Sequence, residues 1–291
     1  MINDQAEALR HMVKNRELQD SGKTTRVITV TSGKGGVGKS NFSLNFALSL
    51  QKLGQKVLIF DADIGMANID VLMGVSAPYN LYHLLKGEKN IWEIIQQGPD
   101  GIHFIAGGSG FKDLLELTPT QLDYFEEQIG RLHGEYDVIL FDTGAGLSKE
   151  TVKFIAAAQE TLVVTTPEPT SITDAYALIK MVQAMEHDIQ FKLIVNRAVD
   201  MREGTATANK ISMVAERFLN TSLPMLGIVL DDPNVSKAVK KQVPFTIAFP
   251  SSDASSSVME IAKRFMDVPS TPTSAGSGVK GFLHKMFRRM K

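Results

Sequence analysis

The chain has 291 residues, of which 43% are hydrophobic and 22% charged, and it contains no cysteine. The length suits one large globular domain or two small ones with a substantial core. The lack of cysteine excludes disulfide scaffolds, thiolate metal sites, iron–sulfur clusters and a cysteine nucleophile. No apolar run reaches the about 18 residues of a membrane-spanning helix, and the net charge of −1 predicts no bulk attraction to nucleic acid.

Short, nearly continuous apolar runs alternate with helical patterns from about Arg26 to Met266. Such runs are typical of strands that are covered on both faces. The predicted strands are Arg26–Ser32, Lys56–Asp61, Gly101–Ala106, Asp137–Asp142, Thr161–Thr166, Gln190–Asn196 and Met225–Leu230. The predicted helices are Asn41–Leu53, Thr120–Leu132, Ile172–Glu186 and Ala206–Leu219. This alternation predicts an α/β fold with a doubly wound, mostly parallel sheet.

A phosphate-binding loop follows the first predicted strand. Residues 33–40 read GKGGVGKS and match G-x-x-x-x-G-K-[ST]. Glycines let backbone N–H groups surround phosphate oxygens, and the N-terminus of the next helix favours the anion. In such a loop Lys39 reaches the β- and γ-phosphates, and the hydroxyl of Ser40 binds Mg²⁺. The expected nucleotide contacts are Gly35, Gly36, Val37, Gly38, Lys39, Ser40 and Asn41.

A second lysine in this loop, Lys34, makes it resemble the loop of deviant Walker A ATPases. That family includes MinD, the partition ATPases and nitrogenase iron protein. The resemblance implies a MinD/ParA-like P-loop domain over residues 26–267, with ATP as substrate and a homodimer that closes around two nucleotides. Lys34 would then cross the interface to the partner's ATP phosphates. A solvated loop charge is the alternative interpretation of Lys34.

Carboxylates that suit a metal–phosphate site stand at two further strand ends. Asp61 and Asp63 are two residues apart and point to the same side of an extended segment. Resemblance to the MinD group implies that residues 61–68 are switch I, in which Asp63 orients the attacking water and Asp61 supports Mg²⁺; a solvated turn is the alternative. Asp142 ends an apolar strand, as a Mg²⁺-binding Walker B aspartate does. Gly144 and Gly146 follow as switch II, where Gly144 replaces the usual proline and predicts a more mobile loop.

The base-binding residues are implied by the same resemblance. Asn196, followed by Arg197, ends a strand at the position where the family reads the adenine edge. The guanine-selecting motif N-K-x-D does not occur in the chain, which favours ATP over GTP. Residues 244–250, which end at Pro250, resemble the loop that packs against the base, and a structural turn is the alternative.

The C-terminal residues combine a polar tether with a basic amphipathic segment. Residues 268–278 are rich in Pro, Ser, Thr and Gly, a composition that predicts a flexible linker. At about 100° per residue, residues 279–291 form a helix with one apolar and one basic face. The expected membrane-contacting residues are Phe282, Leu283, Met286, Phe287, Met290, Lys285, Arg288 and Arg289. Such a helix is typical of binding at an anionic membrane surface; packing on its own domain or on a partner is the alternative.

Charge separates this segment from the rest of the chain. Residues 268–291 hold five basic residues and no acidic one, so their charge is +5. Since the whole chain has a net charge of −1, residues 1–267 carry −6. An anionic membrane repels a body of that charge, so we expect membrane contact through the tail alone and no specific nucleic-acid binding. MinD-type proteins end in a similar helix, which implies a cytoplasmic protein held reversibly at the inner face of the cell membrane.

The first 25 residues predict a partner-binding helix and its linker. An apolar stripe at Ile2, Ala6, Leu9 and Val13 suits docking on the core or in a partner's groove. Residues 4–10, DQAEALR, match the DQAxxLR motif of the FlhG family, also called FleN or YlxH, MinD-like ATPases that control flagellar number and placement. In that family this helix stimulates the GTPase FlhF, and flagellar switch-complex proteins are further partners. The implied contacts are Asp4, Gln5, Ala6, Leu9 and Arg10, with Gln5 acting at the partner's active site.

Two other functions compete with that of a flagellar regulator. A DNA-partition ATPase binds DNA through basic surface and carries D-x-D-x-Q in switch I, where this chain has Ile64 and Gly65 after the aspartates. A MinD of the cell-division site would not need residues 1–25. We therefore expect a Mg²⁺-dependent ATPase that alternates between an ADP-bound or nucleotide-free monomer and a membrane-bound ATP dimer.

Overall fold

The structure is a computed structural model that describes residues 24–63, 67–107, 118–185, 189–267 and 278–287. The strands are β1 (Arg26–Ser32), β2 (Val57–Ala62), β3 (Gln96–Gln97), β4 (His103–Ile105), β5 (Val138–Ala145), β6 (Glu160–Thr165), β7 (Gln190–Ala198) and β8 (Met225–Leu230). The helices are α1 (Lys39–Lys52), α2 (Ile69–Met73), α3 (Leu81–Leu85), α4 (Ile91–Ile94), α5 (Pro119–Gly130), α6 (Lys149–Ala157), α7 (Pro169–Gln183), α8 (Met201–Leu219), α9 (Pro233–Lys241), α10 (Phe245–Ala248), α11 (Asp253–Asp267) and α12 (Gly278–Phe287). All the predicted strands are present.

The strands form one eight-stranded sheet in the order β3-β4-β2-β5-β1-β6-β7-β8. Every neighbouring pair is parallel except β3 with β4, which confirms the predicted doubly wound α/β fold. The short antiparallel edge strand β3 was not predicted, because two glutamines carry no apolar signal. The chain runs outward from β1 in both directions, and open α/β sheets bind ligands beside such a reversal.

Alternation along β2 and β5 places neighbouring residues on opposite faces of the sheet. Asp61 and Asp142 are register partners across these strands, and Ser43 of α1 bonds to Asp142, so both carboxylates are on the α1 face. Phe60 and Phe141, each one residue earlier, are also register partners. Their rings stack at a centroid distance of 5.0 Å on the other face. One strand pair thus serves two separate layers.

Three apolar clusters hold helices on the sheet by removing apolar surface from water. Helices α1 and α11 cover the face that carries the two aspartates. Helices α5, α6 and α12 cover the opposite face over β2 and β5. Helices α7 and α8 pack on β6, β7 and β8. No helix in the described ranges is both long enough and apolar enough to cross a bilayer.

The C-terminal helix α12 packs on its own domain, which was the alternative to a membrane-exposed segment. The apolar side chains of Val279, Phe282, Leu283 and Met286 are only 1–4% exposed. The ring of Phe282 packs against the phenylalanines of β5 and α6, which also contact each other. His284 and Lys285 point away from the core and are exposed.

Several predicted residues lie outside the part of the chain that the structure describes. They are the partner-helix residues Asp4, Gln5, Ala6, Leu9 and Arg10, the linker residues 268–277, and the tail residues Arg288, Arg289 and Met290, together with the side chain of Phe287. Residues 64–66 of switch I are outside it too. The predictions for these residues stay predictions.

Candidate nucleotide site

A cleft of about 690 Å³ opens at the carboxyl ends of β1, β2 and β5. It is the place where a doubly wound sheet offers a ligand site. The predicted site residues that line it are Gly35, Gly36, Gly38, Lys39, Ser40, Asn41, Asp63, Gly144 and Arg197. Residues far apart in sequence therefore meet at one point, as the predicted strand ends required.

The phosphate loop is shaped by close backbone contacts. A Cβ atom on Gly33 would collide with the backbone of Asp174 in α7. Gly38 has φ +88°, and a Cβ atom there would lie 2.5 Å from Nδ2 of Asn196. Helix α1 begins directly afterwards at Lys39, so its free backbone N–H groups face the loop. Glycine is therefore required at these two positions by space and by backbone conformation.

Asn196, implied as an adenine contact, has a different partner in this structure. Its Nδ2 donates a hydrogen bond to the carbonyl oxygen of Val37 at 2.7 Å. The side chain thus supports the phosphate loop from β7. The next residue, Arg197, has φ +57° and lines the cleft, so it is the β7 residue that the structure brings to the nucleotide site.

Lysine, hydroxyl and carboxylate groups converge at the start of α1. The Nζ atom of Lys39 lies 3.0 Å from Oδ1 of Asp142 and donates to Oγ of Ser40 at 3.1 Å. Ser43 Oγ donates to the same Asp142 oxygen at 2.6 Å. Lys39 and Asp142 are buried. Ser43 was missed by sequence reasoning, although its place three residues after Ser40 on one helix face was a usable signal.

The carboxylate of Asp61 is turned toward the backbone of switch I. It accepts hydrogen bonds from the N–H groups of Asp63 at 3.2 Å, Asn68 at 2.9 Å and Ile69 at 3.1 Å. Burial, and next the negative charge of Asp142, raise the pKa of Asp61 to about 7. In this structure Asp61 therefore organises switch I, and Asp63 is the carboxylate that lines the cleft.

The oxygen groups of this site fit a hard divalent cation. Asp61 and Asp142 repel each other in a buried setting, and a bound cation would relieve that repulsion. Among the described residues there is no group of three or more His, Asp or Glu side chains that could hold a metal. Mg²⁺ suits such a site because it keeps several waters and binds through one or two protein oxygens plus phosphate. Ser40 and Asp142 are the protein groups that match this need.

Switch II is held in place by backbone and side-chain hydrogen bonds. Gly146 donates its N–H to the Ser32 carbonyl at 2.8 Å. The Thr151 hydroxyl donates to the Gly144 carbonyl at 3.3 Å, and Ser148 accepts from the Thr151 N–H at 3.1 Å as the N-cap of α6. Thr151 was missed by sequence reasoning; the Ser-x-x-Thr spacing before an apolar run is an N-cap signal that could have found this helix start.

Lys34 lies in the phosphate loop, is partly exposed and contacts its own subunit. Its Nζ is 3.2 Å from Oε2 of Glu168 and 2.9 Å from Oγ1 of Thr170. Both partners stand at the N-terminus of α7, after the end of β6. The Pro-Glu-Pro-Thr segment that supplies them was a strand-end signal that sequence reasoning did not use.

Pro250, implied as a base contact, lies elsewhere. It lines a separate cavity of about 300 Å³ with Ser49, Lys52 and Thr246. Residues 245–248 before it form the short helix α10. The structure therefore does not bring Pro250 to the nucleotide cleft, and this prediction remains without geometric support.

Comparisons with known proteins agree with this geometry. Residues 25–195 match a family described as AAA domain. The antiactivator FleN of Pseudomonas aeruginosa is 39% identical over 239 residues, 82% of this chain and 85% of that protein. The flagellum site-determining protein YlxH of Helicobacter pylori is 39% identical over 266 residues, 90% of each chain.

A solved structure shares the fold over nearly its whole length. The septum site-determining protein MinD from Pyrococcus horikoshii, complexed with Mg-ADP, superposes with a TM-score of 0.67 at 26% identity. The match covers 83% of this chain and 96% of that one. With the phosphate loop, the Walker B aspartate and the two curated relatives in agreement, the chain belongs to the FleN/YlxH family of MinD-like P-loop ATPases.

Proposed function

We propose that this ATPase is a molecular switch in flagellar number and placement, which dimerises with ATP and then binds the membrane through its C-terminal helix. The observation that carries the proposal is helix α12, whose apolar face is buried while Lys285 remains exposed. A basic amphipathic helix stored on the domain is a membrane anchor that another event can release. The names of the relatives FleN and YlxH support the flagellar role.

The proposed hydrolysis rests on positioning and on charge. Phosphoryl transfer needs little covalent chemistry from the protein. Lys39 would bind the β- and γ-phosphates, and Asp63 at the cleft wall would orient the attacking water. Ser40 and Asp142 would hold Mg²⁺, which neutralises charge on the phosphate oxygens when bound.

Dimerisation is proposed from the place of Lys34. Its ammonium group is bound to Glu168 and Thr170, and its side chain is still 39% exposed. An exposed ion pair of this kind contributes about 0–1 kcal/mol, so a partner's ATP phosphates can compete for the lysine. Two tails on one dimer would then bind a membrane far more tightly than one, because the second binding step is intramolecular.

The chain divides by this proposal into four functional parts. Residues 26–267 are the ATPase domain, 268–278 the tether and 279–291 the membrane anchor. Residues 1–25 would stimulate the GTPase FlhF, and flagellar switch-complex proteins would bind elsewhere on the surface. The DQAEALR run supports the FlhF assignment. A synthetic peptide of residues 1–25 should raise GTP hydrolysis by FlhF, whereas the same peptide with Gln5→Ala should not.

Membrane binding can be tested without disturbing the docked face of α12. Lys285→Glu reverses an exposed charge, and Lys210→Glu on α8 is a matched exposed control. Binding to vesicles containing phosphatidylglycerol should require Mg²⁺ and a non-hydrolysable ATP analogue. Lys285→Glu should weaken binding through each tail about 30-fold, since a unit charge near an anionic surface is worth about 1 kcal/mol and the reversal changes the charge by two units. Equal binding by the two variants would contradict the membrane role of the tail, and binding without nucleotide would contradict its control by ATP.

A further inference from the structure

We infer that helix α6 transmits the nucleotide state from switch II to the C-terminal helix, with Thr151 as the positioning residue at its start. The inference rests on the proposed nucleotide-controlled release of α12. The contacts of Thr151 in the first turn of α6 and of Phe154 in the second turn support it.

The first turn of α6 is fastened to switch II. Thr151 is 3% exposed, and its hydroxyl donates to the Gly144 carbonyl at 3.3 Å. Ser148 Oγ donates to Thr151 Oγ1 at 3.1 Å and accepts the Thr151 N–H. Gly144 stands two residues after Asp142, at the edge of the cleft. A movement of switch II on nucleotide binding therefore shifts the start of α6.

The next turn of α6 forms part of the seat of the C-terminal helix. Phe154 lies three residues after Thr151, on the same side of the helix. Its ring is 5.5 Å from that of Phe141 and 6.3 Å from that of Phe282. Phe282 itself stacks on Phe141, the residue before Asp142. The tail ring therefore rests on one residue next to the Walker B aspartate and on another that follows switch II.

The packing leaves no space to absorb a shift of α6. The gap between Phe60, Phe154, Phe282 and their neighbours is about 10 Å³, no more than the space one water requires. Close-packed side chains transmit small displacements because they have no free volume to fill. A shift of α6 must therefore either carry α12 along or break the ring contacts that hold it.

The chain offers a clean reporter because it has no native cysteine. Val279→Cys places a thiol at a position that is 1% exposed in the docked helix. Lys285→Cys on the same helix places a control thiol in solvent. The rate of labelling by a thiol-reactive dye then measures release of α12 in the full chain, without nucleotide and with saturating Mg²⁺ and a non-hydrolysable ATP analogue.

The variant that tests the inference is Thr151→Val in the Val279→Cys background. It keeps the shape of the side chain and removes the hydroxyl. When Thr151 is intact, the nucleotide should raise the labelling rate of Val279→Cys about 5- to 150-fold, the usual range of allosteric coupling. Thr151→Val should reduce that rise about fivefold, the effect of one hydrogen bond. Thr151→Ser should restore it, and Thr205→Val, which removes an exposed hydroxyl on α8, should leave it unchanged.

Two outcomes overturn the inference, and they are distinguishable. If Thr151→Val and Thr205→Val show the same rise in labelling rate as the protein that carries Val279→Cys alone, α12 is released by a route that does not need Thr151. The proposed function then stands. If the nucleotide does not change the labelling of Val279→Cys at all, while Lys285→Cys labels fast in both states, nucleotide-controlled release fails and this inference fails with it. Saturating nucleotide removes any effect of altered affinity from the comparison.

Discussion

The ring of Phe282 in the C-terminal helix stacks on the ring of Phe141 in β5, with a centroid distance of 4.5 Å and an interplanar angle of 15°. The residue after Phe141 is Asp142, which points to the other face of the sheet and bonds to Ser43 and Lys39. A single strand thus carries the Walker B aspartate on one side and the seat of the tail on the other. The nucleotide site and the docked helix α12 are separated by the thickness of that strand.

The contribution of the docked tail to stability can be measured by Phe282→Ala. The substitution removes a ring that is 3% exposed and stacked on Phe141. We expect the free energy of unfolding to fall by about 3 kcal/mol, the lower end for a buried Phe→Ala change. Urea unfolding of the nucleotide-free protein gives this value.

The matched control is Phe218→Ala on α8, because that ring is 66% exposed. Exposed substitutions change stability by about 0.5 kcal/mol or less. If Phe282→Ala costs no more than Phe218→Ala, the contacts of α12 with the sheet do not hold the tail in solution.

The two glycines Gly38 and Gly144 should respond differently to a methyl group. In Gly38→Ala the new methyl group would collide with the side chain of Asn196, and the backbone would have to keep φ +88°. A non-glycine residue in that conformation is strained by about 1–3 kcal/mol. We expect nucleotide affinity to fall about tenfold or more. At Gly144 the nearest atoms would be 3.5 Å away, an ordinary contact, so Gly144→Ala should keep affinity within about twofold. Titration with a fluorescent nucleotide measures both variants.

An equal loss of nucleotide affinity in the two variants would mean that switch II changes its conformation when nucleotide binds. Position 144 would then need a backbone conformation that only glycine adopts easily and that this structure does not have. That result would favour the mobile switch II expected from the sequence. Unchanged affinity in Gly38→Ala would contradict the loop geometry itself.

The parallel sheet and the phosphate loop could be predicted because their signals are local. Continuous apolar runs mark buried parallel strands, and the spacing from Gly33 to Ser40 is dictated by the phosphate group. The partners of site residues could not be predicted in the same way. Thr151 meets Gly144, and Lys34 meets Glu168, only after the chain has folded. No sequence spacing encodes such pairs.

The tail shows a different limit of sequence reasoning. An amphipathic pattern states that one face is apolar, but a bilayer and a sheet face are both apolar surroundings. Choosing between them needs the aromatic groove of Phe60, Phe141 and Phe154, which three separate elements build. Asp61 illustrates the same point. Its carboxylate accepts a hydrogen bond from the N–H of Asn68, and the position of that group depends on where helix α2, which was not predicted, begins.

The raised pKa of Asp61 predicts a pH dependence of stability. Burial and the charge of Asp142 raise its pKa to about 7 in the folded protein, from 3.8 for an unperturbed aspartate. Between these values the unfolded chain loses the proton while the folded one keeps it, so stability falls as pH rises from about 4 to 7. Asp61→Asn removes this effect. The unfolding free energy of the variant, relative to that of the wild type, should therefore rise between about pH 4 and pH 7. The rise is up to about 4 kcal/mol, because each pKa unit corresponds to 1.36 kcal/mol.

The change with pH is the test, since lost hydrogen bonds to Asn68 and Ile69 shift the variant by the same amount at every pH. Urea unfolding of the nucleotide-free proteins at pH 4.5 and at about pH 7.5 supplies it. With saturating Mg²⁺ nucleotide the dependence should shrink, because a bound cation offsets the charge of Asp142. A difference that stays constant with pH would show that Asp61 is ionised in the folded protein throughout.

Lys34→Ala should separate nucleotide binding from hydrolysis. Lys34 contacts Glu168 and Thr170, whereas Lys39 is the lysine next to Ser40 and Asp142. We therefore expect Lys34→Ala to keep the nucleotide affinity of a single chain within about threefold. Its ATP hydrolysis should fall about 1000-fold or more, as when a cation supplied in trans is removed from a phosphoryl-transfer site. Lys39→Ala, the control, should lose nucleotide binding itself.

Mixing two inactive variants decides whether Lys34 acts across the dimer. A mixed dimer of Lys34→Ala and Asp63→Ala chains has one site with an intact Asp63 that faces the partner's intact Lys34. An equal mixture should therefore recover about a quarter of wild-type hydrolysis, since half of the dimers are mixed and each has one competent site of two. If Lys34 serves its own chain, every site lacks one of the two groups and mixing recovers nothing. The turnover of the mixture, measured against each variant alone, distinguishes the two arrangements.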